Sequence, residues 1–433
     1  MKRTKINKLK NKVGKKVLIE GFVQEIRDQS KVKFLILRDN SGIIQTVTNS
    51  VNKEVFDNIT KIPKESVIKI EGTVKSEKQA PSGIEVEVKK YEILSEADKN
   101  LPIPVVEKSE PPALPTRLDY RWLDLRKPRN LLIFKIWTDM EAAMREYWLS
   151  HGFIQIHSPK FVPGATESGA ELFSINYFGK KASLAQSPQF YKQMAMAAGF
   201  ERVFEIGPVF RANKSHTVRH DTEFTSVDIE VSYIDSHEDI MKIEEEWMTH
   251  ILKRIKEKYG AQIKEVFGVD IIMPKLPFPR ITMAEAISLL KKEYNHSCVG
   301  DLDPEGEKLL YEHFKKTHKS EFVFVHDWPI EVRPFYHMQT DHGTTKSYDL
   351  LWKGMEITTG AQREHRHKIL EKQAKEKKVP LEGIKTYLEF FKYGCPPHGG
   401  YGLSPTRVLM LMLGIKNVRE VTFLPRDTER LNP

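Results

Sequence analysis

Cysteine is scarce in this chain of 433 residues: Cys298 and Cys395 are the only two. Two thiols cannot build a disulfide scaffold or a multi-cysteine zinc site. No stretch approaches the roughly 18–20 apolar residues that a membrane-crossing helix needs, so no membrane partner is expected. The opening MKRTKINKLKNKVGKK lacks an apolar segment, and no secretory leader is expected either. The sequence contains no G-x-x-x-x-G-K-[ST] phosphate loop, no H-E-x-x-H zinc helix and no G-x-S-x-G nucleophile elbow. Acid is missing in one place: residues 1–20 carry eight lysines and arginines against the single Glu20. Over the whole chain 68 Lys+Arg face 59 Asp+Glu, a net charge of +9, with 40% hydrophobic and 29% charged residues. That is the balance of a folded, mildly basic, cytoplasmic protein of two or three domains.

What is present begins as β-structure. Lys16–Asp28, Lys31–Asp39, Gly42–Asn49, Ser66–Ser76 and Gly83–Leu94 are alternating, β-branched runs, with a helix-like Val51–Ile62 between the third and fourth. Five strands with one inserted helix is the order of an OB-fold barrel. The basic run before it reads as a solvated, frayed terminus unless the barrel binds nucleic acid, where it becomes a phosphate-contacting arm. Barrels of this kind offer stacking platforms to single strands, and Phe34 and Gln45 would supply a stacking face and a base-edge hydrogen bond.

Residues 95–115 hold Pro102, Pro104, Pro111, Pro112 and Pro115, a semi-rigid spacer that divides residues 1–94 from residues 116–433. Beyond it a helical run at Leu131–His151 and a strand at Phe153–His157, stopped by Pro159, precede further strands and helices at irregular spacing. That order predicts an α+β domain on an antiparallel sheet.

Three segments could carry chemistry. Val209–Glu223 is a hairpin whose Arg211, Arg219 and His220 suit a polyphosphate clamp, or form ordinary surface ion pairs. Asp349 and Glu356 could face one Mg²⁺, or be plain surface charge. Gly394–Arg407 is glycine-rich, which permits close backbone approach to a ligand, and Arg407 would begin the following helix. His365 and His367 read as a polar helix start rather than metal ligands.

With these residues in view the chain resembles the class II aminoacyl-tRNA synthetases of the aspartate group, in their archaeal/eukaryotic-type form, over nearly its whole length. Motif 1 fits residues 131–159. Motif 2 is VFRANKSHTVRHDTEF within residues 203–230, and motif 3 is GGYGLSPTRVLML at residues 399–413. RLDYRWLDLR, LAQSPQFYKQ, RPFY, GMEITTGAQR and FLPRDTERLNP match in the same order.

The resemblance implies ATP-dependent activation of L-aspartate to aspartyl-adenylate and transfer to the 3′ end of tRNA(Asp). Since the substrate supplies the nucleophile, catalysis is positioning and charge neutralisation. By similarity Arg211 and Arg407 are catalytic, neutralising the α- and γ-phosphates. Arg219 and His220 hold the bent polyphosphate, Phe224 stacks on adenine, and Asn213 and Ser404 complete the ATP site. Asp349, Glu356 and Thr359 bind Mg²⁺. Glu167, Gln189, Lys192, Arg211, Thr359 and Arg363 take the amino acid, Lys192 and Arg363 rejecting neutral asparagine at the β-carboxylate. The barrel falls on the anticodon, with Arg27 and Glu71 beside Phe34 and Gln45. Gln24 and Pro81 stand where relatives restricted to tRNA(Asp) can carry Trp and Lys, which implies that tRNA(Asn) is also charged. Motif 1 implies a homodimer. Asn213 replaces a usual Glu of motif 2, and Ser404 and Thr406 a usual Gly and Glu of motif 3. A relative that forms asparagine by amidating the adenylate, or a non-catalytic tRNA-binding paralogue, are the alternative readings.

Overall fold

The computed structural model describes residues 1–106, 110–163, 172–214 and 217–433. Compactness divides the chain into Met1–Leu131 and Leu132–Pro433.

The first unit holds a closed barrel of β1 (Lys16–Gln29), β2 (Val32–Asp39), β3 (Gly42–Asn49), β4 (Val67–Ser76) and β5 (Ile84–Ser95), ordered β1-β2-β3-β5-β4. Helix α1 (Lys53–Asn58) follows β3, and α2 (Leu114–Asp119) and α3 (Arg121–Asp124) follow the proline-bearing segment. Alternation does what the sequence predicts: Leu35, Leu37, Ile68, Ile70 and Val74 point inward and are fully buried. The basic terminus is not frayed. Thr4 N–H donates to Leu18 O at 2.7 Å, Ile6 N–H donates to Asp39, and Ile6 and Leu9 of a short 3₁₀ turn sit in the barrel core. Two apolar anchors within the lysine run hold the backbone down, while Lys2, Lys5, Lys8 and Lys10 stay exposed.

In the second unit the long α4 (Pro128–Ser150) leads to β6 (Ile154–Gln155) and a small sheet of β7 (Phe161–Val162), β8 (Ser174–Tyr177) and β9 (Lys180–Leu184). Then come α5 (Gln189–Ala197), β10 (Arg202–Phe210), β11 (Glu223–Ser232), α6 (His237–Phe267), β12 (Arg280–Thr282), α7 (Met283–Tyr294), α8 (Pro304–His318) and β13 (Phe322–His326). The chain ends with β14 (Ser347–Trp352), β15 (Met355–Arg363), α9 (His367–Glu376), α10 (Lys385–Lys392), β16 (His398–Leu403), α11 (Pro405–Leu413) and α12 (Val418–Val421). The large sheet runs β12-β13-β14-β15-β16-β11-β10-β6, antiparallel except at its two edges.

One face of this sheet buries against α4, α6 and α11. Val227, Ile229 and Val231 of β11, Tyr348 and Leu350 of β14 and Tyr401 and Leu403 of β16 join Trp148, Trp247, Ile251 and Leu409 in a single core. Trp148 and Trp247 stack with ring centroids 4.8 Å apart. Helix α6 starts where its sequence says it should, at the Ser236/Asp239 capping box, and ends at Gly268 in the left-handed region (φ 71°). The opposite face carries the polar side chains.

Candidate active site

The period-2 alternation that puts Val227, Ile229 and Val231 into the core puts Phe224, Ser226, Asp228 and Glu230 of β11 on the other face. Strand β16 lies alongside, with Gly402 opposite Asp228 and Gly400 opposite Glu230. A methyl group on Gly400 would stand 2.1 Å from Ile229 O and 2.4 Å from Glu230 Oε2. Gly400 therefore makes room for the neighbouring strand and its acid, while Gly402 lies on a cavity wall. A cavity of about 390 Å³ opens over this face, lined by Gln189, Arg211, Arg219, His220, Phe224, Asp228, Glu356, Thr359, Arg363, Ser404 and Arg407 among others. Three sequence segments far apart in the chain thus meet in one site.

At one end stand cations. Arg211 N–H donates to Thr222 O, extending the β10/β11 ladder, and its guanidinium lies 5.4 Å from the centre of the Phe224 ring. Arg219 pairs with Glu307 of α8 at 2.7 Å. Arg407, in the first turn of α11, donates to Glu356 O at 2.8 Å and reaches His220 Nε2 at 3.0 Å. His220 Nδ1 meets the Thr217 hydroxyl at 2.6 Å. Burial first, then Arg407, Arg211 and Arg219, push the His220 imidazole down to about 4, so it is neutral at neutral pH and accepts from Arg407. Ser404 caps α11 by accepting from Arg407 N–H, with Pro405 behind it and the Thr406 hydroxyl 2.9 Å away. The residues that replace the usual motif 3 Gly and Glu thus build a helix start that fixes Arg407. Asn213 is not among the cavity-lining residues.

The carboxylates are brought together by an irregularity. Pairing of β14 with β15 shifts between Leu350 and Leu351, and this bulge sets Glu356 and Thr359 on the cavity side although they are three residues apart. Asp349 pairs with Thr359 across the ladder and is buried just behind the cavity wall. Its Oδ2 forms an ion pair with Arg333 at 2.7 Å, while Oδ1 is buried without a hydrogen-bond partner among the described residues. Burial raises the Asp349 carboxyl to about 6 against the pull of Arg333. Burial also works against the charge of Glu356, but Arg407, Arg333 and Arg211 hold that carboxylate below its ordinary range. One orphaned carboxylate oxygen, a second carboxylate and a hydroxyl form a hard-oxygen donor set that suits Mg²⁺.

At the other end the floor is an ion network. Lys192 Nζ, 1% exposed, stands 3.0 Å from Asp228 Oδ1 and 3.4 Å from Glu230 Oε2, and donates to Tyr401 O. It lies beneath the cavity wall rather than on it. Arg363 donates from Nε to Glu230 at 3.0 Å, from Nη1 to His337 Nε2 at 2.9 Å and from Nη2 to Gly400 O at 2.9 Å. Guanidinium has five N–H groups, so one on each terminal nitrogen stays unclaimed by the described residues, and Arg363 lines the cavity. Burial and the adjacent Arg363 drive His337 far below its ordinary value, so it is a neutral acceptor. Two cations and two acids balance here. Asp228, Glu230, Arg333 and His337 were not singled out in the sequence; the i, i+2 spacing in β11 was the available signal for the first two. Glu167 lies outside the described residues.

On the barrel, Arg27 and Phe34 pair across β1 and β2, and Gln45 of β3 donates to Glu85 at 3.0 Å. Arg27 and Phe34 are at least partly exposed. Glu71 does not join them: it pairs with Leu18 and Lys90, nine positions from Arg27 along β1, roughly 30 Å of extended strand. Gln24 sits at a β1 bulge and accepts from Arg38, whose guanidinium is locked by buried Glu65 at 2.8 Å. Pro81 is exposed in the β4–β5 turn.

Residues 113–428 match the tRNA synthetases class II (D, K and N), and residues 17–94 an OB-fold nucleic acid binding domain. The chain is 46% identical over 425 residues to an aspartate–tRNA(Asp/Asn) ligase of Methanopyrus kandleri, covering 97% of this chain and 96% of that one. It is 43% identical to an aspartate–tRNA(Asp) ligase of Pyrococcus abyssi, covering 97% of each. Among solved structures it is similar to asparaginyl-tRNA synthetase from Pyrococcus horikoshii complexed with asparaginyl-adenylate, with TM-score 0.93, 33% identity and full coverage of both chains. Among the described residues no helix is long and apolar enough to cross a membrane.

Proposed function

The chain belongs to the class II tRNA synthetases (D, K and N), a ligase family, and on that premise we propose that it is an aspartate–tRNA ligase acting in the cytoplasm. The observation that carries the reading is Arg363: a buried guanidinium on the cavity floor with two N–H groups, one per terminal nitrogen, left unclaimed by the described residues, the complement of a carboxylate. Lys192 acts from beneath, holding Asp228 and Glu230 in place; Asp228 on the wall offers an acceptor to the substrate ammonium. Glu167, Gln189 and Thr359 complete the amino-acid site in this reading.

The aspartate α-carboxylate attacks the ATP α-phosphorus in line, its oxygen forming the new P–O bond as pyrophosphate leaves. Arg211 neutralises the α-phosphate and Arg407 the γ-phosphate, while Arg219 and neutral His220 hold the chain bent and Phe224 carries adenine. A ribose hydroxyl of the tRNA 3′ end then attacks the adenylate carbonyl, forming the ester and releasing AMP. Asp349, Glu356 and Thr359 would hold Mg²⁺, which supplies charge neutralisation to the phosphates when bound. Arg27, Phe34 and Gln45 read the anticodon in this account, and Glu71 has no part in it.

Gln24, tied to the Arg38–Glu65 pair, and exposed Pro81 support acceptance of tRNA(Asn) as well. Charging of purified tRNA(Asp) and tRNA(Asn) with labelled aspartate tests both levels: both accept, whereas failure of tRNA(Asn) alone sinks the relaxed reading and failure of both sinks the ligase. The exposed Phe161, Tyr177 and Phe178 of the small sheet support a homodimer, and a monomeric sedimentation coefficient would exclude it.

A further inference from the structure

Away from the cavity, three metal-ligating side chains converge that the proposed chemistry does not use. His237 opens α6, and His326 and Asp327 end β13 and turn the chain out of the sheet. Their donor atoms all lie within 4.8 Å of one another. His237 Nε2 is 3.8 Å from Asp327 Oδ1, His326 Nδ1 is 3.2 Å from Asp327 Oδ2, and the two imidazole rings are 5.9 Å apart at 46°. Ligands around a tetrahedral ion with bonds of about 2.0–2.1 Å stand roughly 3.4 Å apart, so small side-chain shifts would close the set on one ion.

A second observation points the same way. His237 is 8% exposed, yet neither of its ring nitrogens has a hydrogen-bond partner among the described residues, and buried His326 Nδ1 meets only Asp327. Buried imidazole nitrogens left unpaired cost folding free energy, and an ion among them removes that cost. The charges around the cluster do not forbid a cation. Arg280 and Lys346 act on His237, but Arg280 is engaged by Glu238 and Glu245, and Glu285 faces His326. None of the three residues lines the cavity described above.

We propose that His237, His326 and Asp327 bind one divalent first-row transition ion of the zinc class, with water completing its shell. Two imidazoles and one carboxylate select such an ion over Mg²⁺ or Ca²⁺, which prefer all-oxygen shells. The ion staples the first turn of α6 to the end of β13, fastening a core helix to the sheet it packs on. A second grouping, His296, Cys298 and Asp303, serves as the internal control, because Asp303 Oδ1 is already occupied by Gly306 N–H at 2.7 Å and by His296 at 2.8 Å.

The test uses the full chain, stripped with a chelator and titrated with Co²⁺ as a visible probe. One equivalent binds with tetrahedral d–d absorption, Zn²⁺ displaces it, Mg²⁺ does not, and Zn²⁺ raises Tm. Substitution falls on the less buried partners: His326→Asn and Asp327→Asn each weaken Co²⁺ binding by at least about tenfold, and His296→Asn leaves it unchanged. Circular dichroism checks that the variants keep the fold. No saturable Co²⁺ binding, binding unaffected by His326→Asn and Asp327→Asn, or binding lost with His296→Asn overturns the proposal.

Discussion

In the proposed reading, Arg363 concentrates the specificity in one side chain. Its three contacts with described residues fix a guanidinium that lines the cavity, so Arg363→Gln should lower kcat/KM for aspartate by roughly 10⁴-fold, because in this reading the site loses its charged partner for the β-carboxylate. Arg363→Lys keeps the charge but not the fork and should recover only part of the loss; steady-state kinetics of both variants checks this. Glu244 shows a different single-residue effect. Burial pushes its carboxyl from 4.5 up to about 8, with Asp349 and Glu245 adding to the rise and the Tyr348 hydroxyl opposing it. The folded protein therefore holds a proton that the unfolded chain releases near 4.5, and stability falls as pH rises through the window up to about 8. Glu244→Gln should flatten the Tm-versus-pH curve and leave the variant more stable than the parent above that window. That Arg211, Arg219 and Arg407 belong to one site was legible because the hairpin and helix start carrying them have sequence signatures. The acids that orient Lys192 and Arg363 were not, because an Asp and a Glu in a strand read as solvent-facing until the strand beside them is known.

At the scale of elements, β16 was the hardest to foresee. HGGYGL has poor strand propensity, yet it lies between β15 and β11 in the middle of the sheet. Its glycines are required by the neighbours: Gly400→Ala would drive a methyl into Ile229 O and Glu230. That overpacking should cost on the order of 3 kcal/mol, lowering the thermal midpoint and abolishing adenylate formation together, which calorimetry and pyrophosphate exchange would register. The motif 2 hairpin, by contrast, was readable, since both strands carry β-branched residues and the loop between Phe210 and Glu223 is polar. The bulge that brings Glu356 and Thr359 onto one face had no local signal, because strand alternation alone puts residues three apart on opposite faces. Helix α6 runs as far as Phe267 because Tyr259 and Ile263 continue the apolar stripe until Gly268 stops it.

For the whole molecule, the +9 charge divides by location. The lysines of residues 1–16 are displayed on a terminus pinned by Ile6 and Leu9, whereas Arg211, Arg219, Arg363, Arg407 and Lys192 are gathered in the second unit. Salt should therefore depress tRNA charging far more steeply than pyrophosphate exchange, as counterion release at exposed lysines requires; parallel salt slopes would contradict that division. The fold itself does not choose the amino acid, since the chain superposes on an asparaginyl-tRNA synthetase with a TM-score of 0.93. In the proposed reading the choice rests on the charged floor of the cavity, and the direct test is ATP–pyrophosphate exchange with each amino acid in turn. Aspartate should support exchange and asparagine should fall below it by at least about 10³-fold. Equal exchange with asparagine, or none with aspartate, would contradict the account.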